Sequence, residues 1–257
     1  MEKGKIMEKK EIIEQGNFME KEKMYVKTYN FKDYNKVIFK VMELQDIILQ
    51  KLEKEEKKDY LLEKKEEEYK NIFENKDAIF VCAFDGDKLI ATTMTKPSPD
   101  DHKPEKIKEG KLKDFTMLEC SNGMVHPEYQ GKGLLSKLLE KIIVHYEKIE
   151  QYEKAEKKFL LTGEIVYSNG SSLVSVLKNG FAIDHAAKSK IDGAEVVYLW
   201  HAVNNSFDEN LLKDGTSIKE LTKEEIKNKG ENKKFEFYEK ANELMVLKQE
   251  MPQQMVI

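Results

Sequence analysis

The chain has 257 residues, 40% hydrophobic and 36% charged, with a net charge of −4. Enough apolar residues are present for a packed core, which excludes global disorder, and the length allows one large domain or two modest ones. Acids and bases are interleaved with no basic stripe, which argues against a nucleic-acid binder.

Residues 1–23 form a charged lead segment without the apolar centre of a signal peptide. MYVKTYN (24–30) reads as a short strand, and Asp33 is placed to cap the helix after it. Val37, Ile38, Val41, Met42, Leu44, Ile48 and Leu52 recur at helical spacing. The Glu/Lys pairs of 51–70 fit a solvated helix face. AIFVCAF and LIATTMT around DGDK read as a hairpin starting near 78.

Residues 96–114 are polar and carry prolines, a long loop of the kind that often shapes a binding site. FTMLECSNGMV (115–125) is a strand, and GKGLLSKLLEKIIVHYEK (131–148) an amphipathic helix. FLLTGEIV (159–166) is a strand, SSLVSVLKNGF (171–181) a helix ended by Gly180, and EVVYLWHAV (195–203) a closing strand. The order predicts a mixed α/β (α+β) domain over 24–203, with a helical extension at 204–257. No apolar run of about 18 residues is present, so no membrane span is expected and a soluble, cytoplasmic protein is.

All 44 basic residues are lysine. Phosphate must therefore be met by backbone amides, ammonium groups or hydroxyls, since no guanidinium fork exists. Cys82 and Cys120 are the only cysteines, each in an apolar strand-like run, and read as reduced core thiols. They cannot build a zinc site alone, and the five scattered histidines include no HExxH pair, so no metal is expected.

Between strand 115–125 and the helix from 131 lies HPEYQGKG. A helix start offers unpaired N–H groups and a positive dipole end, and glycines let an anion approach. Gln130, Gly131, Lys132, Gly133, Leu134, Leu135 and Ser136 would present a fan of amides plus a hydroxyl, suited to a pyrophosphate. A P-loop is excluded because Gly133 follows Lys132, and a dinucleotide fingerprint because the run is GKGLLS. On these residues alone a glycine-led helix start without a ligand fits equally well.

VHPEYQGKGLLSKLL resembles the acyl-CoA-binding segment of the GNAT N-acyltransferase superfamily, Q/R-x-x-G-x-G/A after a strand ending Val-x-Pro. Val125, Pro127, Gln130 and Gly133 match. NGSSLVSVLKNGF resembles the same family's N-x-x-S/A…G-F segment through Asn169, Ser172, Gly180 and Phe181. The resemblance spans roughly 24–203.

That resemblance implies a mostly antiparallel sheet with two strands splayed apart to admit a pantetheine arm. Acetyl-CoA would be the acyl donor and a small-molecule or peptide amine the acceptor, attacking directly in a ternary complex. Gly123, Met124 and Val125 would pair with the arm, and an amide near Val125 would hold the developing oxyanion. Asn169 and Ser172 would join the donor site. Glu119 stands where histone-acetylating members carry a glutamate base. Strand alternation puts it on one face with Ser121, Gly123 and Val125, with Leu118 and Cys120 opposite.

Glu164 is the rival base. Val176 occupies the position of the family's usual Tyr acid and cannot donate a proton, which leaves Tyr167 or Ser168 as nearest candidates. Leu135 replaces the second small residue of the phosphate segment. His126 and His145 read as structural, and Tyr198 as core, with lining of an acceptor pocket as its alternative. An acyl-CoA sensor without turnover, or an assembly protein using 204–257, are the competing functions, and a homodimer is compatible with each.

Overall fold

A computed structural model describes residues 24–105, 107–152, 158–188 and 193–203. The segments 1–23 and 204–257, read above as a lead segment and a helical extension, lie outside the described residues.

β1 (Met24–Asn30) leads through a short 3-10 turn into α1 (Ile38–Lys54) and then α2 (Glu66–Ile72). The hairpin of β2 (Ile79–Asp85) and β3 (Lys88–Pro97) follows, then a one-turn α3 (Glu109–Leu112) and β4 (Phe115–Val125). α4 (Leu134–Tyr152) crosses to β5 (Lys158–Val166), and α5 (Gly170–Lys178) precedes the hairpin β6 (Ala182–Lys188) and β7 (Glu195–Ala202). The seven strands form one sheet in the order β1-β2-β3-β4-β5-β7-β6. Every neighbouring pair is antiparallel except β4–β5, the pair joined through a helix, as parallel strands require.

Helices cover both faces, and β2 shows why its sequence is almost continuously apolar. Ile79, Val81 and Ala83 pack on the α4–α5 side, and Phe80, Cys82 and Phe84 on the α1–α2 side. α1 buries Ile38, Val41, Leu44 and Ile48 on one stripe. α4 buries Leu134, Leu138, Leu139, Ile142 and Tyr146. Each such side chain contributes roughly 1.5–3 kcal/mol by leaving water.

Three local expectations change. Residues 51–70 are not one solvated helix. α1 ends at Lys54, Glu56 takes φ 56°, and Leu61 is extended and 9% exposed. Leu61, in the apolar Tyr60-Leu61-Leu62 in the middle of the charged run, is drawn inward and breaks it, while Leu62 stays exposed. Asp33 caps nothing with its side chain and pairs with Lys36 instead. β6 escapes the sequence pattern because Asp184 and His185 interrupt its apolar alternation.

Candidate active site

β4 and β5 pair only from Phe115↔Lys158 to Glu119↔Thr162. Beyond that point β4 stays paired with β3 as far as Val125, and β5 stays paired with β7 as far as Val166. Each strand keeps its outer neighbour while the two part from one another, so a gap opens in the middle of the sheet. A β-bulge accounts for the departure. Thr92 faces Met124 but Met94 faces Ser121, so β4 carries an extra residue here, and Asn122 sits at φ 50°.

The bulge also corrects the alternation expected along β4. Leu118 and Cys120 belong to the α4 side, but so does Val125, while Met124 belongs to the α1 side. One added residue reverses the parity, so Glu119 and Val125 do not share a face. Gly123 is closely covered, since a Cβ there would lie 3.0 Å from Leu135 Cδ1. Leu135, where the family has a small residue, thus leans over a position that only glycine leaves vacant.

Asn122 is held from below. Its Nδ2 donates to Tyr69 Oη at 3.1 Å, and Tyr69 donates to Gln45 Oε1 at 2.9 Å. Gln45 grips the backbone of Lys64 on both sides, accepting from its N–H at 3.1 Å and donating Nε2 to its carbonyl at 2.9 Å. Tyr69 is 0% and Gln45 2% exposed, so this buried relay fixes the loop before α2 against the bulge.

A cavity of about 420 Å³ fills the gap. Glu119, Cys120, Asn122 and Gly123 line it from β4, and Glu164, Ile165 and Val166 from β5. At its floor His102 bridges the two candidate bases. Its Nε2 lies 2.8 Å from Glu164 Oε2, and its Nδ1 lies 3.1 Å from Glu119 Oε2, a contact not aligned as a hydrogen bond. Lys96 Nζ approaches the same Glu119 oxygen at 3.2 Å. Burial works against a charged imidazole, but the two carboxylates outweigh it and raise His102 to about 9. Burial likewise works against the Glu119 anion, yet His102 and Lys96 hold its pKa below the usual carboxylate value. Among the described residues no group of His, Cys, Asp and Glu has a metal-holding arrangement.

The structure brings some of the expected residues together. Glu119 and Glu164 share one cavity with Asn169, Ser172, Leu135 and Val176. Asn169 caps α5 by accepting from the Ser172 N–H at 3.3 Å. Tyr198 borders the cavity, edge-on to His102 at 5.2 Å. Tyr167 does not border it: its side chain packs in the α4-side core, because Tyr167 lies just past the end of β5. The Ser168 carbonyl accepts from Tyr60 Oη at 2.8 Å.

Cys120 lines the cavity rather than the core alone, and burial pushes its thiol pKa up, so it is protonated at neutral pH. His126 is structural, its Nδ1 accepting from the Glu128 N–H at 3.3 Å.

At the other end of the gap Gly131 and Gly133 have φ 77° and 70°, a conformation other residues rarely adopt, and no atom lies within 4 Å of a Cβ built on either. Gln130 Nε2 donates to the Val125 carbonyl at 3.2 Å, tying the corner to the end of β4. Ser136 Oγ accepts from Asn179 Nδ2 at 2.9 Å, so this hydroxyl is engaged with the end of α5. Lys132 Nζ sits over the Tyr129 ring, 4.7 Å from its centre. The first-turn amides of α4 (Leu134, Leu135, Ser136) have no acceptor within the helix.

The sequence reading overlooked His102, Lys96, Lys64 and Asn122. A histidine set among Pro97, Pro99 and Pro104, in a loop already marked as functional, was the available signal for the first.

A mixed sheet parted at its one parallel pair, with a glycine corner at one end of the gap and paired carboxylates at the other, fits the splayed sheet that the sequence resemblance implied. Residues 44–161 match the model of the acetyltransferase (GNAT) family, and the chain carries a GNAT-type acyltransferase domain. Asn169 and the rest of the α5 segment lie outside that match. A comparison with curated proteins finds no significant match.

Among solved structures, Arabidopsis thaliana NAA60 in complex with acetyl-CoA is 11% identical, covering 71% of this chain and 99% of its own, with a TM-score of 0.50. An N-acetyltransferase from Staphylococcus aureus Mu50 is 16% identical over 71% of this chain and 99% of its own, with a TM-score of 0.48. At 11% identity the likeness to NAA60 concerns the fold alone.

Proposed function

We propose that this protein transfers an acetyl group from acetyl-CoA to a primary amine by direct attack within a ternary complex. The observation that carries the reading is the parting of β4 from β5 after Glu119↔Thr162, with both candidate carboxylates at the point of divergence. The pantetheine arm enters the gap, alongside the backbone of Gly123, Met124 and Val125, which has no β5 partner. The pyrophosphate meets the first turn of α4 behind Gly131 and Gly133, and Asn169 and Ser172 flank the arm from α5.

The acceptor must lose a proton before it attacks. An alkylamine of pKa ~10.4 at pH 7 lies about 3.4 units from its neutral form, about 4.6 kcal/mol. The Glu119–His102–Glu164 cluster takes up that proton. Glu164, the more open carboxylate at 17% side-chain exposure against 7% for Glu119, faces the amine, and Glu119 anchors His102. The amine nitrogen bonds to the thioester carbon, the carbon–sulfur bond breaks, the coenzyme leaves as a thiolate, and the nitrogen gives up its remaining extra proton to water to leave the neutral amide. With Val176 in place of a tyrosine acid that thiolate departs without a protein donor, which a thiol of pKa ~8.5 tolerates. A protonated Cys120 is a poor nucleophile, which favours direct transfer over an acyl-enzyme.

Val176 also supports a second reading, an acyl-CoA sensor without turnover. Thiol release from acetyl-CoA with a panel of amines separates the two. Amine-dependent release is the expected result; tight acetyl-CoA binding with no release from any amine would leave the sensor.

A further inference from the structure

The charged residues lining the cavity are Lys64, Lys96, His102, Glu119 and Glu164. His102 already spans the two carboxylates, and Lys96 pairs with Glu119. Lys64 is different. Among the described residues its ammonium has no hydrogen bond and no ion pair. Its backbone is nevertheless fixed by Gln45 through the buried relay that ends at the Asn122 bulge. Glu119 and Glu68 act on it only at a distance, so this firmly placed lysine at the wall of the cavity has no carboxylate in direct contact among the described residues.

The surrounding chemistry reinforces this. Burial, then the neighbouring Lys96 charge, depress the Lys64 pKa, and Glu119 and Glu68 together are too weak a counterweight to restore it. With His102 protonated near neutral pH, three cationic groups face two carboxylates within the cavity, Glu63 and Glu68 lying outside it in the adjoining pocket. A simple alkylammonium or a diamine entering this space would add charge of the sign already in excess.

We propose that the acceptor is a small amine that also carries a carboxylate or a phosphate-like group, with Lys64 and Lys96 binding the anion while the amine faces Glu164. The proposal rests on the transferase reading above. The anionic end offsets the cationic wall, and binding it fixes the amine at the point where β4 and β5 part. Lys64 is then a specificity-determining residue, in a segment that the sequence pattern presents as a plain solvated helix.

The test uses the full chain and four probes of similar length: 4-aminobutyrate, 3-aminopropylphosphonate, 1,4-diaminobutane and n-butylamine. Calorimetry, with and without coenzyme A, reads binding, and thiol release reads transfer. The expected result is that one or both acids bind and the diamine and butylamine do not, the two acids showing which anion is preferred. Lys64→Met weakens acid binding roughly 10- to 100-fold, as loss of a charged hydrogen bond does. Lys64→Arg retains most of it, and neither change alters acetyl-CoA affinity.

The proposal is overturned if the diamine or butylamine binds as well as the acids, or if none of the four binds. It also falls if Lys64→Met weakens acetyl-CoA rather than acid binding, since the lysine would then serve the donor. Acids that bind through Lys64 but release no thiol would sink the transferase reading and leave this site standing. Thiol release driven best by the diamine would do the reverse.

Discussion

The two ends of the gap are built from opposite materials. The corner at 130–136 is backbone: two glycines in left-handed conformations, open space where side chains would be, and the unpaired amides of a helix start. The floor is side chain: a histidine between two carboxylates, with two lysines, largely buried. Amide dipoles suit any phosphate and discriminate little among what hangs from it. A fixed arrangement of charges discriminates strongly. On the proposed function, the contrast assigns grip on a common donor to the corner, and chemistry and acceptor choice to the floor.

The sharpest way to break that division is to neutralise the floor. Glu164→Gln and Glu119→Gln should each lower kcat by about 10²–10⁴-fold, with acetyl-CoA affinity by calorimetry intact. The effect should be larger for Glu164 if it meets the amine, and an equal loss would make the cluster act as one unit. If either change weakens acetyl-CoA binding as much as turnover, the ends do not divide the work.

Gly133→Val attacks the other end. No atom obstructs the new side chain, so the cost comes from a β-branched residue at φ 70° and from crowding an approaching phosphate. The expected outcome is a weakening of acetyl-CoA affinity by roughly 10-fold or more with little change in kcat at saturation. Unaltered affinity would remove the phosphates from this corner.

A third change tests what connects the regions. Tyr69→Phe deletes the hydroxyl between Asn122 and Gln45 and leaves the Asn122 amide without that acceptor. Unfolding in denaturant should show a loss of about 1–3 kcal/mol. Acceptor KM should rise while acetyl-CoA affinity holds, because the relay carries Lys64.

The same contrast explains what could be seen in the sequence. The corner lies within seven consecutive residues, and its conformation follows from Gly131 and Gly133, so its shape was legible locally, although only the family resemblance favoured a ligand there. The apolar stripes of α1 and α4 and the hairpin at Gly86 were visible for the same local reason. Glu119 and Glu164 were each found as single strand residues. Their bridge was hidden, because His102 arrives from a loop 17 positions before one and 62 before the other. The bulge at Asn122 was hidden too: its extra residue is defined by pairing with β3, and a strand read alone shows only alternation. Lys64 sits among so many lysines and glutamates that only the buried Gln45 contact singles it out.

The smallest expected effect concerns pH. His102 in the folded protein titrates near 9, above the ordinary value of 6.5, so it binds its proton more tightly folded than unfolded. Its contribution to stability is therefore complete below about pH 6.5, declines as pH rises, and is gone above about pH 9. Glu119 works in the opposite sense: its lowered folded pKa stabilises the protein above about pH 4.5 and is lost as pH falls below that. Between pH 6.5 and 9.5 only the first acts, so Tm of the wild-type protein should fall by a few degrees more than that of His102→Gln. Parallel Tm profiles across that window would mean the imidazole is not held charged between the carboxylates, and the excess of positive charge assigned to the cavity would vanish with it.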